Sequence, residues 1–585
     1  MPKRAEQALA VLITVLAAVL HLLRARHAGA LWRDEAGAAQ LAAFPSLREV
    51  FENFPHEAFP LLFPVTLRTY MGVFGDSDLA FRLFGLAVGL AILAALWRNA
   101  RAAGALPLAS LALVQLHPAF PLYGDSIRGY GLGTLAILLT FGAFARLVAR
   151  PDGRTAALTL LGALASVHLL LHNAALLAGL GAAAMAVGVL RRRFRVTLLA
   201  GGIGLVAALT LLPYLGPLRE AKEWRIVLIQ EVAPREILGK LAEVTGNPFP
   251  WLSWVWVAVA AVAAWVALHR LTRPASEETA TEHDVRLFRL LVVPAALGGE
   301  IAFLLALGYP PRMWYLLPVL ALVASALDGL IAGGPAPARW LRAAAAILLV
   351  VTLWPAALGA AMLRMTNVDH VARALEQDAG PRDLILVNEW YYGVSFHRYY
   401  HGRAQGRARW MTVPALADHR VHRFDLLKEK MMAEDPLRDV RRAVRRTLRR
   451  GGRVWVVGRL EPPPAGGPLA LPPAPNPRWG WLDAPYVVSW SQQLSALLEE
   501  QSTRKRTIRI PAGGRVNGME ALGVWRFGGW RAAGSELGGL ASSPPGAGLS
   551  RPNPPTARPG SPGRPSPGGR DTPRRTAGGP GRRGG

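Results

Sequence analysis

The chain has 585 residues, 52% hydrophobic and only 18% charged, whereas a soluble protein carries about a quarter of its residues charged; the balance is that of a membrane protein. No cysteine is present, which removes disulfides, thiolate catalysis and cysteine-held zinc. The net charge of +27 invites nucleic acid as a partner, but the basic residues fall in short loops between apolar runs and in the segment after Ala532, so a solvated loop and tail bias accounts for it and no nucleic-acid partner is expected.

The opening MPKRAEQALAVLITVLAAVLHLL joins a basic start to an apolar run. No clear small-x-small cleavage site follows it before Trp32 and ten further spans come later, so it reads as an uncleaved first transmembrane helix over about 8–23. Ten further apolar runs follow at about 79–97, 104–122, 130–148, 155–172, 174–190, 196–214, 251–269, 288–308, 313–332 and 341–362. Their lengths approach the ~20 residues an α-helix needs to cross ~30 Å of hydrocarbon. The even-numbered connections WRNARAAG, ARPDGR, RRRFR, HRLTRPASEETATEHDVRLFR and APARWLR join Lys3 and Arg4 in forming one basic side. The bias of Lys and Arg toward the cytoplasm then puts the amino terminus inside.

With about eleven spans, the first long loop (24–78) and everything beyond Leu363 are expected on the outer side. That loop is too long for a connector, and PSLREVFENF and FPLLFPVTLRTYMGVFG carry apolar residues at spacings of three and four, the pattern of helices lying along the membrane surface. From 365 to 531 hydropathy falls. There DHVARALEQDAGPRDLILVNEWYYG reads as helix, Pro turn and buried strand, and RDVRRAVRRTLRRGGRVWVVGRLE as helix, Gly-Gly turn and strand. The expected fold is therefore a polytopic α-helical membrane domain (1–364), an extracytoplasmic α/β domain (365–531) and a disordered Pro/Gly/Arg-rich tail (532–585). The arginine run at 438–453 is expected to be a solvated helix face. No Walker loop, Rossmann glycine fingerprint or HExxH motif is present.

On the outer side this topology gathers polar residues from several loops. Asp34 and Glu35 stand in LWRDEAGAAQ, His56 and Glu57 in NFPHEAFPLLF, and His117, Tyr123, Asp125, Arg128 and Tyr130 in LHPAFPLYGDSIRGYGLG. His172, Asn173, Arg219, Lys222, Arg225 and Arg312 join them. A carboxylate here suits a general base toward a hydroxyl, and guanidinium groups suit a phosphate leaving group. Together they fit transfer from a membrane-borne phosphate donor. Glu300 lies within a span, a position where an ionisable side chain is a functional candidate by default.

The ordered series WRDEA, PHEAFPLLFPVTLRTYMGVFGDSDLAFRLFG and YGDSIRGYGL resembles the GT-C glycosyltransferases of the protein mannosyltransferase and aminoarabinose transferase type over residues 8–145, and later in PPRMWYLLP. HEAFPLL stands where that family has His-Pro-Pro, and Asp125 near its usual Glu. The resemblance implies an inverting transfer of a sugar from a polyprenyl-phosphate donor to a glycan, lipid or protein acceptor at the outer face of the cytoplasmic membrane. It puts Asp34 at the catalytic acid position with Glu35 as neighbour, and His56, Glu57, Tyr123, Asp125, Arg128, Tyr130 and Arg312 around substrate and donor phosphate. It names no resident cofactor or metal ligand and leaves a divalent metal open. Usage rich in Ala, Arg, Gly and Pro fits a bacterium. The competing expectations are a transporter or flippase, for which Glu300 speaks, and a non-catalytic envelope scaffold.

Overall fold

In hydrocarbon, backbone N–H and C=O groups have only one another as partners, so long apolar runs close into helices. The computed structural model describes residues 3–229, 231–272, 280–332, 334, 336–402 and 404–532. Its first helix is α1 (Lys3–His27), followed by three helices within the long loop, α2 (Arg33–Ala42), α3 (Leu47–Glu57) and α4 (Leu62–Phe74). Then come α5 (Asp78–Ala102), a three-residue α6 (Leu108–Ser110), α7 (Gly129–Ala149), α8 (Gly153–Leu169), α9 (Asn173–Leu190) and α10 (Phe194–Leu209). The helical part continues through α11 (Leu215–Trp224), α12 (Pro234–Thr245), α13 (Leu252–Leu271), α14 (Ala280–Leu307), α15 (Leu317–Ile331) and α16 (Ala336–Ala361).

Among the described residues nine helical segments are long and apolar enough to cross a bilayer, the architecture of a polytopic helical protein. Every residue of α15 is buried, so it is the hub of the bundle. By contrast, α1 exposes Val11, Leu12, Val15, Val19 and Leu22, an apolar stripe at helical spacing suited to lipid. Two of the expected spans differ. Residues 155–172 form α8, whose 17 residues reach only ~25 Å. Residues 104–122 are not one helix: α6 passes into π-helical turns at Leu111–Gln115 and Phe120–Gly124. Pro107, Pro118 and Pro121 withhold amide donors there. Asp328 on α15 offsets part of that loss by accepting the Ala109 and Ser110 amides at 2.8 and 3.0 Å.

Ion pairs distinguish the two ends of the bundle. One end carries Arg342 against Glu6, and Arg191 and Arg193 against Asp284 at 3.2 and 2.8 Å. The other carries the loop helices and the C-terminal part of the chain. After α17 (Val368–Asp378) come β1 (Leu384–Asn388), α18 (Tyr392–Tyr399), β2 (Arg409–Thr412), α19 (Phe424–Met432), α20 (Arg438–Arg449), β3 (Val454–Gly458), α21 (Asp483–Gln501), β4 (Ser502–Ile508) and β5 (Gly523–Trp530). They build a five-stranded sheet of order β2-β1-β3-β5-β4, parallel across β2, β1 and β3 and antiparallel at β5. The central strands LILVN and VWVVG are buried throughout because helices cover both faces. Leu384, Leu386, Val454 and Val456 pack with Val440, Val444 and Leu494, while Ile385, Val387 and Val457 pack with Val371, Leu375 and Phe396. The turn between α20 and β3 requires its glycine pair: Gly451 has φ +73°, and a Cβ on Gly452 would lie 2.2 Å from the Arg382 carbonyl. The sheet and the helical bundle belong to one compact unit over the described residues to Ala532. The expected disordered tail, apart from Ala532, lies outside the described residues.

The start of α2 is where loop, bundle and sheet meet. Glu35, in its first turn, is wholly buried, and its oxygens accept from Arg82 Nη1 and Nη2 at 2.7 and 3.0 Å, from the Ile127 amide at 3.0 Å and from the Trp32 amide at 3.4 Å. Arg82 also donates to the Gly29 and Ala30 carbonyls. Glu35 is thus a structural anchor rather than the catalytic group expected of it, because successive helix residues point ~100° apart and only one of the Asp-Glu pair faces any given direction. Removing one partner leaves a buried charge alone, so Glu35→Ala or Arg82→Ala is expected to destabilise the fold by about 3–5 kcal/mol, and the double change to Leu much less. Unfolding midpoints of the protein in lipid nanodiscs check this.

Candidate functional site

A cavity of about 410 Å³ opens at the end of the bundle that carries the sheet. Of the residues expected around a site, Asp34, His56, Glu57, Arg128, Tyr130 and Arg312 line it. Its other polar lining comes from His172, Lys222, Arg225, Tyr309, Tyr315 and His422, and Leu170, Leu171, Leu218, Phe303 and Leu307 supply an apolar wall. Four basic side chains, Arg128, Lys222, Arg225 and Arg312, therefore face two carboxylates, Asp34 and Glu57.

Asp34 follows Arg33 at the start of α2, where the helix dipole favours negative charge. Its side chain is 18% exposed, with Arg33 Nε at 3.6 Å and Arg128 Nη2 and His422 Nε2 both at 3.8 Å. Among the described residues no donor lies within hydrogen-bonding distance of its carboxylate, so its lone pairs are open toward the cavity. Burial alone would push this carboxyl up, but the charges of Arg128, Arg33, His422 and Arg312 outweigh it and hold the group below its usual range.

Glu57 at the end of α3 is fixed instead. It accepts from His422 Nδ1 at 2.7 Å, from the His422 amide at 3.2 Å and from Arg128 Nη1 at 3.1 Å. Burial raises its carboxyl, and His422 and Arg128 more than reverse that. Arg128 also donates to the Asp34 carbonyl at 3.1 Å, and its guanidinium lies 4.5 Å from the centre of the Phe59 ring. Burial works against its charge, yet Asp34, Tyr130 and Glu57 raise its pKa. Arg128 is thus committed to orienting the two acids. The cations left open are Lys222 and Arg312, for which no carboxylate among the described residues stands within ion-pairing distance. Arg225 donates to the His56 carbonyl, and its buried Nε has no hydrogen-bond partner among the described residues. His56 donates from Nδ1 to the His422 carbonyl at 3.1 Å, and burial pushes its imidazole down to about 4.

Three expected site residues lie elsewhere. Glu35 pairs with Arg82 as described. Asp125 is buried against His21 Nδ1 at 2.7 Å, with Gln115 on the other ring nitrogen at 3.0 Å, because a buried carboxylate needs a partner and α1 supplies one. Tyr123 packs its ring 4.9 Å from that of Trp314 and its hydroxyl 3.9 Å from Met519 Sδ, backing the cavity rather than lining it. His117 holds the Val244 carbonyl from Nε2 at 2.7 Å and is structural.

His422 escaped the sequence reading. It lies 365 residues beyond Glu57 in ADHRVHRF, with no local spacing to single it out. The sheet region also anchors the start of α2. Glu520 accepts from the Arg33 amide at 2.8 Å and from Ser395 Oγ at 2.6 Å. Burial pushes Glu520 up to about 7, against the pull of Arg33. The Arg33 guanidinium lies 4.6 Å from the centre of the Tyr391 ring and donates to the Met519 carbonyl at 3.1 Å.

Among the described residues no group of three or more His, Asp or Glu side chains is placed to hold a metal ion. Comparison with models of known protein families and with curated proteins finds no match.

Glu57, depressed in the folded state, contributes stability that is present above its unfolded pKa and lost as pH falls through its folded value. Without His422 the folded value rises toward the unfolded one and that contribution shrinks. His422→Ala is therefore expected to lower the unfolding midpoint at pH ~7 by an amount equivalent to about 1–3 kcal/mol. The gap from the native protein should narrow as the buffer is taken down to pH ~4, which thermal unfolding at the two pH values measures.

Proposed function

We propose that this chain is an inverting glycosyltransferase of GT-C type, moving a sugar from a polyprenyl-phosphate donor to a glycan, lipid or protein acceptor at the non-cytoplasmic face of the cytoplasmic membrane. The observation that carries this reading is the ionised, hydrogen-bond-free Asp34 carboxylate on the wall of a cavity that also presents Lys222 and Arg312 without carboxylate partners among the described residues. An anionic headgroup suits those cations, and the apolar wall of Leu170, Leu218 and Phe303 suits the chain attached to it. The loop charges that put the amino terminus inside put this end of the bundle outside.

In this mechanism Asp34 takes the proton of an acceptor hydroxyl as its oxygen attacks the anomeric carbon. The bond from that carbon to the phosphate oxygen breaks, the configuration inverts, and polyprenyl phosphate leaves with the bonding electrons. Arg312 and Lys222 stabilise the charge that develops on the departing phosphate. Arg128 and His422 keep Asp34 and Glu57 ionised side by side and aim the base.

One observation favours a transporter or flippase. Glu300 on α14 is buried, and neither of its oxygens has a hydrogen-bond partner among the described residues, as a coupling group within a membrane would require.

Deleting the gene is expected to cost one envelope glycan a sugar and to accumulate a lipid-linked sugar, both read by mass spectrometry. The wild-type chain and Glu300→Gln should restore the glycan, whereas Asp34→Asn should insert and fold normally yet transfer about 10²–10⁴-fold more slowly. Full restoration by Asp34→Asn with failure of Glu300→Gln would reverse the assignment in favour of transport.

A further inference from the structure

A second and larger cleft, about 1050 Å³, opens where the far end of α2 meets α18 and the segment after β2. Its walls include Gln40, His397, Arg398, Trp410, Asp418 and His419. Two segments build both this cleft and the cavity beside it. Helix α2 carries Asp34 at one end and Gln40 six residues on, ~9 Å away at the helical rise. The segment after β2 carries Asp418 and His419 into the cleft and His422 into the cavity. The two openings therefore share α2 and the segment after β2, with Asp34 and Gln40 leaving the helix in directions ~120° apart.

The chemistry of the walls selects the ligand. Trp410 is partly exposed, with the ring of His419 4.7 Å away at 37° and that of Phe396 5.2 Å away nearly edge-on. Burial pushes the His419 imidazole down to about 4 and lowers His397 as well, so both rings are neutral at physiological pH. His397 Nδ1 donates to Gln40 Oε1 at 2.7 Å. Asp418 is held by Arg420 at 3.1 Å and Arg423 at 3.2 Å, and Arg398 donates to the Asp76 carbonyl at 2.6 Å and faces Asp78 at 3.4 Å, while the Asp76 carboxylate on the wall has no ion-pair partner among the described residues. An aromatic ring beside neutral imidazoles, paired arginine and an open carboxylate suits a ligand with apolar ring faces and neutral hydroxyls, and repels a phosphate. The cavity with Lys222 and Arg312 has the opposite character.

We propose that this cleft binds a chain of neutral sugar residues, the saccharide acceptor, and delivers its terminal hydroxyl to Asp34. The delivery rests on the glycosyltransferase reading, whereas the binding does not.

The full chain in lipid nanodiscs, free of sugar-headed detergent, is mixed with linear gluco-, manno-, galacto- and arabino-oligosaccharides at roughly millimolar concentration, and contacts are read by saturation-transfer difference NMR. At least one series is expected to bind, with Trp410→Ala weakening it about tenfold and Asp34→Asn leaving it in place. Since Trp410 also packs on Phe396, the more exposed His397→Ala serves as a second variant, and unfolding midpoints verify that both fold. The proposal is overturned if none of the oligosaccharides binds, or if binding is as tight in both folded cleft variants as in the native protein. Oligosaccharide binding lost in the cleft variants, in a protein that shows no Asp34-dependent transfer, would sink the transferase reading while the cleft stands. Asp34-dependent transfer that survives both cleft changes would do the reverse.

Discussion

The buried pair of Glu35 and Arg82 is the constraint on which the rest of the arrangement depends. Taking two charges out of water costs several kcal/mol unless their hydrogen-bonding capacity is filled, and here the Ile127 and Trp32 amides and the Gly29 and Ala30 carbonyls fill it. The pair ties the first turn of α2 to α5 and to the segment just before α7. Once Glu35 is committed inward, the helical repeat turns Asp34 toward the cavity. Two adjacent acids of nearly identical chemistry thus acquire opposite roles from geometry alone.

Around Asp34 the electrostatics answer a second problem, that of keeping two carboxylates ionised in a partly dry place. Burial opposes the charge on both Asp34 and Glu57, and Arg128 and His422, shared between them, reverse that opposition. The sharing is unequal. Glu57 holds the short bonds to His422 and Arg128, at 2.7 and 3.1 Å, while both side chains stand 3.8 Å from Asp34. Glu57 organises Arg128 and His422, and Asp34 keeps lone pairs open.

Hydropathy made most of the helical layer legible because hydrocarbon imposes one rule on every long apolar run. It could not foresee that Pro107, Pro118 and Pro121 break the 104–122 run into π-helical turns, since proline alters backbone donors without lowering hydropathy. The site was legible where its members lie close in sequence to the ends of spans: Asp34, Glu57, Arg128 and Arg312 all meet in one cavity. Glu35, Asp125 and Tyr123 share that location and residue type, and only tertiary partners, Arg82, His21 and Trp314, divert them. His422 was invisible for the complementary reason, because its meaning comes from a contact 365 residues away.

The Arg33 amide and the Glu520 carboxylate that receives it are 487 residues apart. A ribosome therefore finishes inserting the entire helical bundle well before the last support of the Asp34 corner has been made. Until that stretch emerges, Asp34 and Glu57 also lack His422, and Arg128 is the one side chain of the helical part that pairs with both acids among the described residues. The corner around Asp34 is therefore completed only when the sheet closes.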